Sequence, residues 1–368
     1  MRGVRKDQIT FTRFIAAIAI IIFHSGTAAF PFNHESVSLI LKNANVGVSY
    51  FFTLSGFIMM LAYAGNDNID LPIYYKSRFA RIAPSYYVAL ALFVPFIVQK
   101  WATYDYWGIF LNLTMLQAWV PSKALSINQP GWSVSVEMLF YLLFPMLFNH
   151  VYQRKKLWLI LLWGMVLFFV SQWLHHALLD WDISDGFGSS SHNINYFFPL
   201  MHLNEFVMGN IAGIFYLRYM SHRDRPNGPW IILSVVALLG VLKFPTGLSM
   251  HNGLLVLVFI PLILFIASDD GIFSRLLSLR PLVFLGEISF GIYILQVPFA
   301  NIFYRILLRY NITDKNIIFY TYLIMLCLLA GLNFKYIETP LRKRINAFRS
   351  ASKDSVPPVS PAAYRSPV

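Results

Sequence analysis

The chain has 368 residues, of which 57% are hydrophobic, 17% aromatic and 12% charged. A soluble domain carries about 25% charged residues, so this composition excludes an ordinary water-facing surface. The net charge of +12 comes from basic residues in short loops between apolar runs; membrane orientation explains that placement better than a nucleic-acid partner.

The apolar runs predict an all-α, polytopic membrane helix bundle of about ten transmembrane helices. In chain order they are 9–29, 45–64, 82–99, 132–149, 157–175, 196–217, 230–244, 252–267, 282–304 and 316–337. The first resembles a signal peptide in its basic flank and small-residue end. Arg13 interrupts it early and His24 stands near its far end, so it reads as a permanent helix. Residues 104–120 (YDYWGIFLNLTMLQAWV) read as an interfacial or re-entrant segment, and the short runs 230–244 and 252–267 as a hairpin.

With the N-terminus inside, 21 of the 29 Lys and Arg residues fall on the cytoplasmic side. They occupy KSRFAR (76–81), QRKK (153–156), the 218–228 loop, the 274–280 segment, LRKR (341–344) and both tails. This bias satisfies the positive-inside rule and puts both termini in the cytoplasm. The acidic loop 180–192 then falls outside. Residues 1–345 form the membrane domain; the tail 346–368, rich in Ser and Pro, is expected to be disordered. No internal repeat supports a two-halves transporter. The single cysteine, Cys327, excludes an intrachain disulfide and a cysteine-built metal site.

Arg13 and His24 stand eleven residues apart in the first span. At 100° per residue they fall within about 20° of one face, roughly 16 Å apart along the axis. A polar stripe of this kind points into a bundle, and intramembrane ionisable residues are functional by default. The plainer readings are a snorkelling anchor for Arg13 and an interhelical hydrogen bond for His24. The loop before the third span, YYKSRFARIAPSYY, carries Arg78 and Arg81, three apart and on one face. Paired guanidinium groups suit phosphates, because each donates two parallel bonds; the plain reading is inside-loop basicity. In QPGWSVSVEMLFYLLFP, Ser133, Glu137 and Tyr141 recur at intervals of four. Glu137 enters an apolar span and needs an Arg or His partner from another helix. His202 and Glu205 lie in MHLNEFVMGN; Glu287, in LGEISFGIYIL, reads as a surface carboxylate, and Gly56, in FFTLSGF, as a helix-packing position. The spacing of His175 and Asp180 is a chance match to a His-x4-Asp acyltransferase motif and is set aside. No Walker loop, dinucleotide fingerprint or metal motif is present.

Together these segments resemble the bacterial membrane acyltransferase-3 family, which O-acylates O-antigens, exopolysaccharides and related glycans. The resemblance covers about residues 7–345. It rests on Arg-x10-His in the first helix, FFTLSGF, the Arg-x-x-Arg pair, GWSVSVEMLFYLLFP, EFVMG, LGEISFGIYILQVP and YIETPLRKR, in that order. The resemblance implies that His24 is the catalytic histidine, with Arg13 its essential companion facing the donor. It implies that Arg78 and Arg81 take acyl-CoA and that Ser133, Ser135 and Glu137 form the Ser-x-Ser-x-Glu element near the active site. Tyr141, His202 and Glu205 join Ser133 and Ser135 as candidate substrate contacts. Two positions depart from the family's pattern: Gln296 stands where a histidine is usual, and His202 where an arginine is common.

The implied activity is transfer of an acetyl or similar short acyl group from cytoplasmic acyl-CoA to a hydroxyl of a cell-surface or exported polysaccharide, or of its lipid-linked precursor. The enzyme would sit in the bacterial inner membrane, with acetyl-CoA as donor substrate and no bound cofactor or metal. Its partners are membrane lipid, acyl-CoA and the glycan acceptor, with a homo-oligomer or polysaccharide-assembly proteins also compatible. His24, as neutral imidazole, would remove the hydroxyl proton or relay the acyl group, and Glu137 or Ser133 would orient it or hold the oxyanion. The competing readings are a transporter of a small anion or lipid-linked sugar, and a non-catalytic scaffold. The enzymatic expectation requires Arg13 and His24 to line one common tunnel.

Overall fold

The computed structural model describes residues 6–99, 105–180, 186–221, 225–244 and 247–348. The described residues are all-helical, as expected; the tail beyond 348 lies outside them. Helix α1 (Asp7–Ile21) runs into a π-helical turn, Ile22–Gly26. A short surface helix α2 (Glu35–Leu41) leads to α3 (Gly47–Tyr63), α4 (Leu71–Gln99) and the small α5 (Tyr106–Leu113). Then come α6 (Trp132–Leu147), α7 (Leu157–Asp180), α8 (Ser190–Phe197) and α9 (Leu203–Phe215). The chain continues through α10 (Gly228–Lys243), α11 (Val256–Ala267), α12 (Ile272–Leu277), α13 (Arg280–Arg309) and α14 (Lys315–Asn333). A π turn, Phe334–Glu338, joins α14 to α15 (Thr339–Ala347).

Among the described residues seven helices are long and apolar enough to cross a membrane, not ten. The other three expected spans are present as α9, α10 and α11, of 13, 16 and 12 residues. A span needs about 20 residues at 1.5 Å each, so α10 and α11 do not meet that length; α9 with its flanking turns runs on from Pro199 to Met220 but carries Asn204, Glu205 and Asn210 among its apolar residues. The paired short runs do pack together, α10 against α11.

One local expectation changes and another holds. The YYKSRFAR stretch is not a loop: α4 is one helix of 29 residues that carries Arg78 and Arg81 on its first turns. The 104–120 segment does not cross, because α5 has eight residues, about 12 Å of helix. Polar bonds hold the described part against the bundle. Tyr86 and Tyr87 donate to the carbonyls of Asn112 and Leu113, both at 2.8 Å. Gln117 donates to the Gly131 carbonyl at 2.6 Å, and Ser135 Oγ accepts the Ala118 amide at 3.3 Å. Irregular backbone survives at membrane depth only where protein satisfies it. Asp105 meets Lys123 at 2.6 Å at the segment's start; that hydrogen bond is the main reason its carboxyl is held below its usual range.

The most extensive helix pairing is α3 on α9, with α1 packed on α13. Gly56 and Gly209 let α3 and α9 meet backbone to backbone, as small residues do in membranes. A methyl on Gly209 would meet the Thr53 carbonyl and come 3.2 Å from Gly56 Cα; one on Gly56 would meet the Phe206 carbonyl and come 2.9 Å from the Asn210 amide nitrogen. Helix backbone cannot swing aside as a side chain can. Gly209→Ala is therefore expected to destabilise the protein by about 1–3 kcal/mol, read as a lower unfolding temperature in detergent. Gly240→Ala, where nothing lies within 4 Å, should leave it unchanged or raise it, because alanine favours helix by about 0.5–1 kcal/mol.

Candidate active site

Two cavities, each of about 490 Å³, lie along α1. Arg13 opens into the one beside the first turns of α1; His24 opens into the one at its far end. The expected common tunnel is thus two chambers. They meet at Val48 and Tyr293, which line both.

Four guanidinium groups line the first cavity: Arg13, Arg78, Arg81 and Arg342. Glu137 and Glu287 are the carboxylates in its wall, so positive charge prevails. Glu287 is therefore a cavity residue and not a surface one. Arg78 is held by aromatic faces, its guanidinium carbon 5.9 Å from the ring centroids of Tyr63, Tyr74 and Tyr141. Cation–π attraction fixes the group without a carboxylate; Nε reaches Ser77 Oγ and Nη1 reaches Met59 Sδ, both at 3.4 Å, and the remaining N–H groups are left for an anion. Arg81 is positioned differently: Nη1 lies 3.0 Å from Oε1 of the buried Glu338. Glu338 Oε2 accepts from Ser85 Oγ at 2.8 Å, and Asn333 Nδ2 donates to that oxygen at 2.8 Å. Arg342 stands 4.0 Å from the same carboxylate, one turn along the chain. Glu338 thus sets the geometry of two arginines from α4 and α15.

Glu137 faces this arginine cavity and accepts the Tyr141 hydroxyl at 2.9 Å. The helical interval of four read from the sequence is a real bond, and the required arginines come from α1 and α4. Ser133 also lines the cavity, but its hydroxyl donates to the Pro130 carbonyl at 2.9 Å. Ser135 lines neither cavity. It is buried, and it pins the α5 segment through the Ala118 amide, so it is not a substrate contact here.

The second cavity is walled by histidines and aromatic rings. His24, His192, His202 and His251 line it, with Trp132 and Tyr196. His24 is exposed to it and sits in the π turn that ends α1. A π turn advances each residue by less than 100°, so the ring departs from the face a regular helix would give; such turns recur at functional sites. Among the described residues, no hydrogen-bond partner engages His24. His202 is committed: Nε2 faces the Tyr196 carbonyl at 3.0 Å and Nδ1 faces Glu205 Oε2 at 3.0 Å. A carbonyl cannot donate, so Nε2 carries a proton. Glu205 is fully buried behind His202 and lines neither cavity; it supports the wall and does not contact a ligand in it. His251 Nε2 accepts from Asn45 Nδ2 at 3.2 Å. Burial, with His175, His202 and His192 nearby, pushes His251 down to about 3, so this ring is neutral imidazole.

Gln296 is buried, and its amide donates to the Tyr293 carbonyl at 2.9 Å; it lines neither cavity. His175 is structural: its ring nitrogens meet Asn195 at 2.7 Å and Ser249 at 2.8 Å. Among the described residues no His, Cys, Asp and Glu group is arranged to hold a metal. Sequence reasoning passed over Glu338, Arg342, His251 and Tyr293. The interval of four from Glu338 to Arg342 was a usable signal. Nothing local marks Tyr293, whose neighbours come from distant segments.

A family model described as "Acyltransferase domain" matches residues 6–333. The acyltransferase MdmB of Streptomyces mycarofaciens is 29% identical over 171 residues, 43% of this chain and 43% of that protein. The O-acetyltransferase OatA of Staphylococcus aureus is 24% identical over 371 residues, covering 90% of this chain and 56% of its own length. The peptidoglycan O-acetyltransferase OatA of Listeria monocytogenes is 24% identical over 395 residues, covering 92% and 56%. The chain spans about half the length of these curated relatives. No solved structure matches it. With a family match from residue 6 to residue 333, the chain belongs to the acyltransferase-3 family, and among the described residues seven of its helices are long and apolar enough to cross a membrane.

Proposed function

We propose that the chain moves an acetyl or similar short acyl group from cytoplasmic acetyl-CoA to a hydroxyl of an exported or cell-surface glycan, or of its lipid-linked precursor. The observation that carries this reading is the division of α1: guanidinium groups surround its Arg13 end, and at its His24 end stands an imidazole with no hydrogen-bond partner among the described residues. Phosphates of the donor bind at Arg78, Arg81 and Arg342, with the pantetheine arm running past Arg13 towards Val48 and Tyr293. The acceptor hydroxyl binds beside His24 in the aromatic cavity. The relatives' names supply the glycan: one is a peptidoglycan O-acetyltransferase.

His24 takes the hydroxyl proton as the sugar oxygen attacks the thioester carbon. The new C–O bond forms, the C–S bond breaks, and the proton returns through His24 to the departing sulfur of CoA. Arg13 lies on the donor side, where its charge favours the developing thiolate and oxyanion. Glu137, bonded to Tyr141, balances the arginine cluster. The excess of Lys and Arg in the loops supports a topology with both termini in the cytoplasm of a bacterial inner membrane, and with the arginine cavity opening inward.

Two expected outcomes follow from these roles. His24→Ala should lower transfer by about 100-fold or more, the worth of a general base. The readout is the O-acetyl signal in NMR spectra of glycan from cells expressing equal amounts of each protein; a wild-type signal from the variant would remove His24 from the chemistry. Glu338→Gln should raise the KM for acetyl-CoA roughly ten-fold while kcat changes little. The carboxylate orients Arg81 by a charge-assisted bond worth about 1.5–3 kcal/mol and faces Arg342 at 4.0 Å. Steady-state kinetics in membrane vesicles check it, and an unchanged KM would free the phosphate site from Glu338.

A further inference from the structure

We propose that Val48 and Tyr293 form an apolar neck between the two cavities, and that this neck admits a small uncharged acyl group while holding back branched and carboxylate-bearing ones. The inference rests on the transfer reading above and names the acyl class that reading leaves open.

Val48 and Tyr293 are the two residues, among those described, that line both chambers. Val48 sits on the first turn of α3 and Tyr293 in the middle of α13. They are 9% and 6% exposed, so the neck is closed in on its other sides. The Tyr293 hydroxyl donates to the Pro130 carbonyl at 3.3 Å, the same oxygen that takes the Ser133 hydroxyl. Its polar end is thus occupied and its ring is presented to the passage. Phe51 backs that ring, with centroids 6.1 Å apart. Phe52, in the arginine cavity, packs edge-on against Trp132 of the histidine cavity at 5.9 Å. The boundary is therefore an isopropyl group and aromatic rings, with the guanidinium groups on one side and His24 on the other.

A thioester bound among the arginines and a hydroxyl beside His24 can react only if the acyl carbon is presented at this boundary. The bonding change is the same for any acyl group: C–O forms, C–S breaks, and the proton ends on sulfur. Discrimination then depends on what the neck tolerates. Acetyl brings one methyl and no charge. A succinyl carboxylate would have to leave the arginines and water for an apolar layer, at a large desolvation cost. A branched acyl group adds girth against Val48, whose χ1 is stiff in a helix, and against a ring anchored to Pro130. The donor's phosphates bind elsewhere, so the neck acts on the transfer step and not on CoA binding.

The test uses inverted membrane vesicles from cells expressing the full chain, with their own glycans as acceptors. They receive an equimolar mixture of acetyl-CoA, isobutyryl-CoA and succinyl-CoA, and mass spectrometry of the glycan reads the acyl groups attached. The wild type is expected to favour acetyl over either competitor by at least about 10-fold, the discrimination that one or two methyl-sized differences support in an apolar site. Val48→Ala should narrow the acetyl-to-isobutyryl ratio by about 10-fold while succinyl stays excluded. Tyr293→Phe, which keeps the ring but frees it from Pro130, should narrow the same ratio. An unchanged ratio in both variants, with acetyl transfer retained, would overturn the neck and leave the acyltransferase reading standing. Transfer of succinyl by the wild type as readily as acetyl would overturn it as well. A wild type that transfers no acyl group above empty vesicles would overturn both the neck and the reading beneath it.

Discussion

A guanidinium group in a membrane-spanning helix cannot face hydrocarbon cheaply, and Arg13 imposes that constraint on every helix near the start of α1. The neighbours answer with polar faces: Arg78 and Arg81 from α4, Glu137 and Tyr141 from α6, Glu287 from α13 and Arg342 from α15. Several like charges in one chamber repel one another, and Arg78 and Arg81 are fixed by different devices. Arg78 is surrounded by tyrosine rings, while Arg81 is tied to a buried carboxylate. The result is a positively charged chamber inside a largely apolar bundle.

The carboxylate that ties Arg81 shows how local backbone geometry supports this chamber. Glu338 closes a π turn between α14 and α15, and His24 sits within another at the end of α1. A π turn widens the helix by one residue and redirects the side chain it carries. In one case this aims a carboxylate at two arginines from different helices. In the other it leaves an imidazole in a cavity with no hydrogen-bond partner among the described residues. Elsewhere in the bundle α3 meets α9 backbone to backbone at Gly56 and Gly209, and Phe51 of α3 meets Tyr293 of α13 with ring centroids 6.1 Å apart.

Division of α1 between two chambers has a functional logic. A donor rich in phosphate and an acceptor rich in hydroxyl groups need opposite surroundings: fixed cations for the first, rings and neutral hydrogen-bonding groups for the second. One uninterrupted tunnel would mix them and would let water reach the thioester. Val48 and Tyr293 line both chambers, the level at which the proposed transfer would bring donor and acceptor together.

The sequence by itself determined the class of fold, because a chain this poor in charge has few places to go except a membrane, and helices satisfy their backbone there without neighbours. It also marked Arg13, His24, Arg78, Arg81 and Glu137 as candidates, since ionisable residues in apolar runs are costly to keep, and each of them lines one of the two cavities. The tertiary structure alone decided what each of them meets. Periodicity relates residues along one helix, so the Glu137–Tyr141 bond was legible, whereas the pairing of Arg81 with Glu338 joins segments 257 positions apart. Ser135 looked like its neighbour Ser133 in sequence, but one turns to the α5 segment and the other to the cavity, a difference set by the rotation of α6 in its packing. The separation of Arg13 from His24 into two chambers was likewise hidden. It depends on a valine from α3 and a tyrosine from α13 closing across α1, and no local pattern records that two distant side chains will come to share a wall.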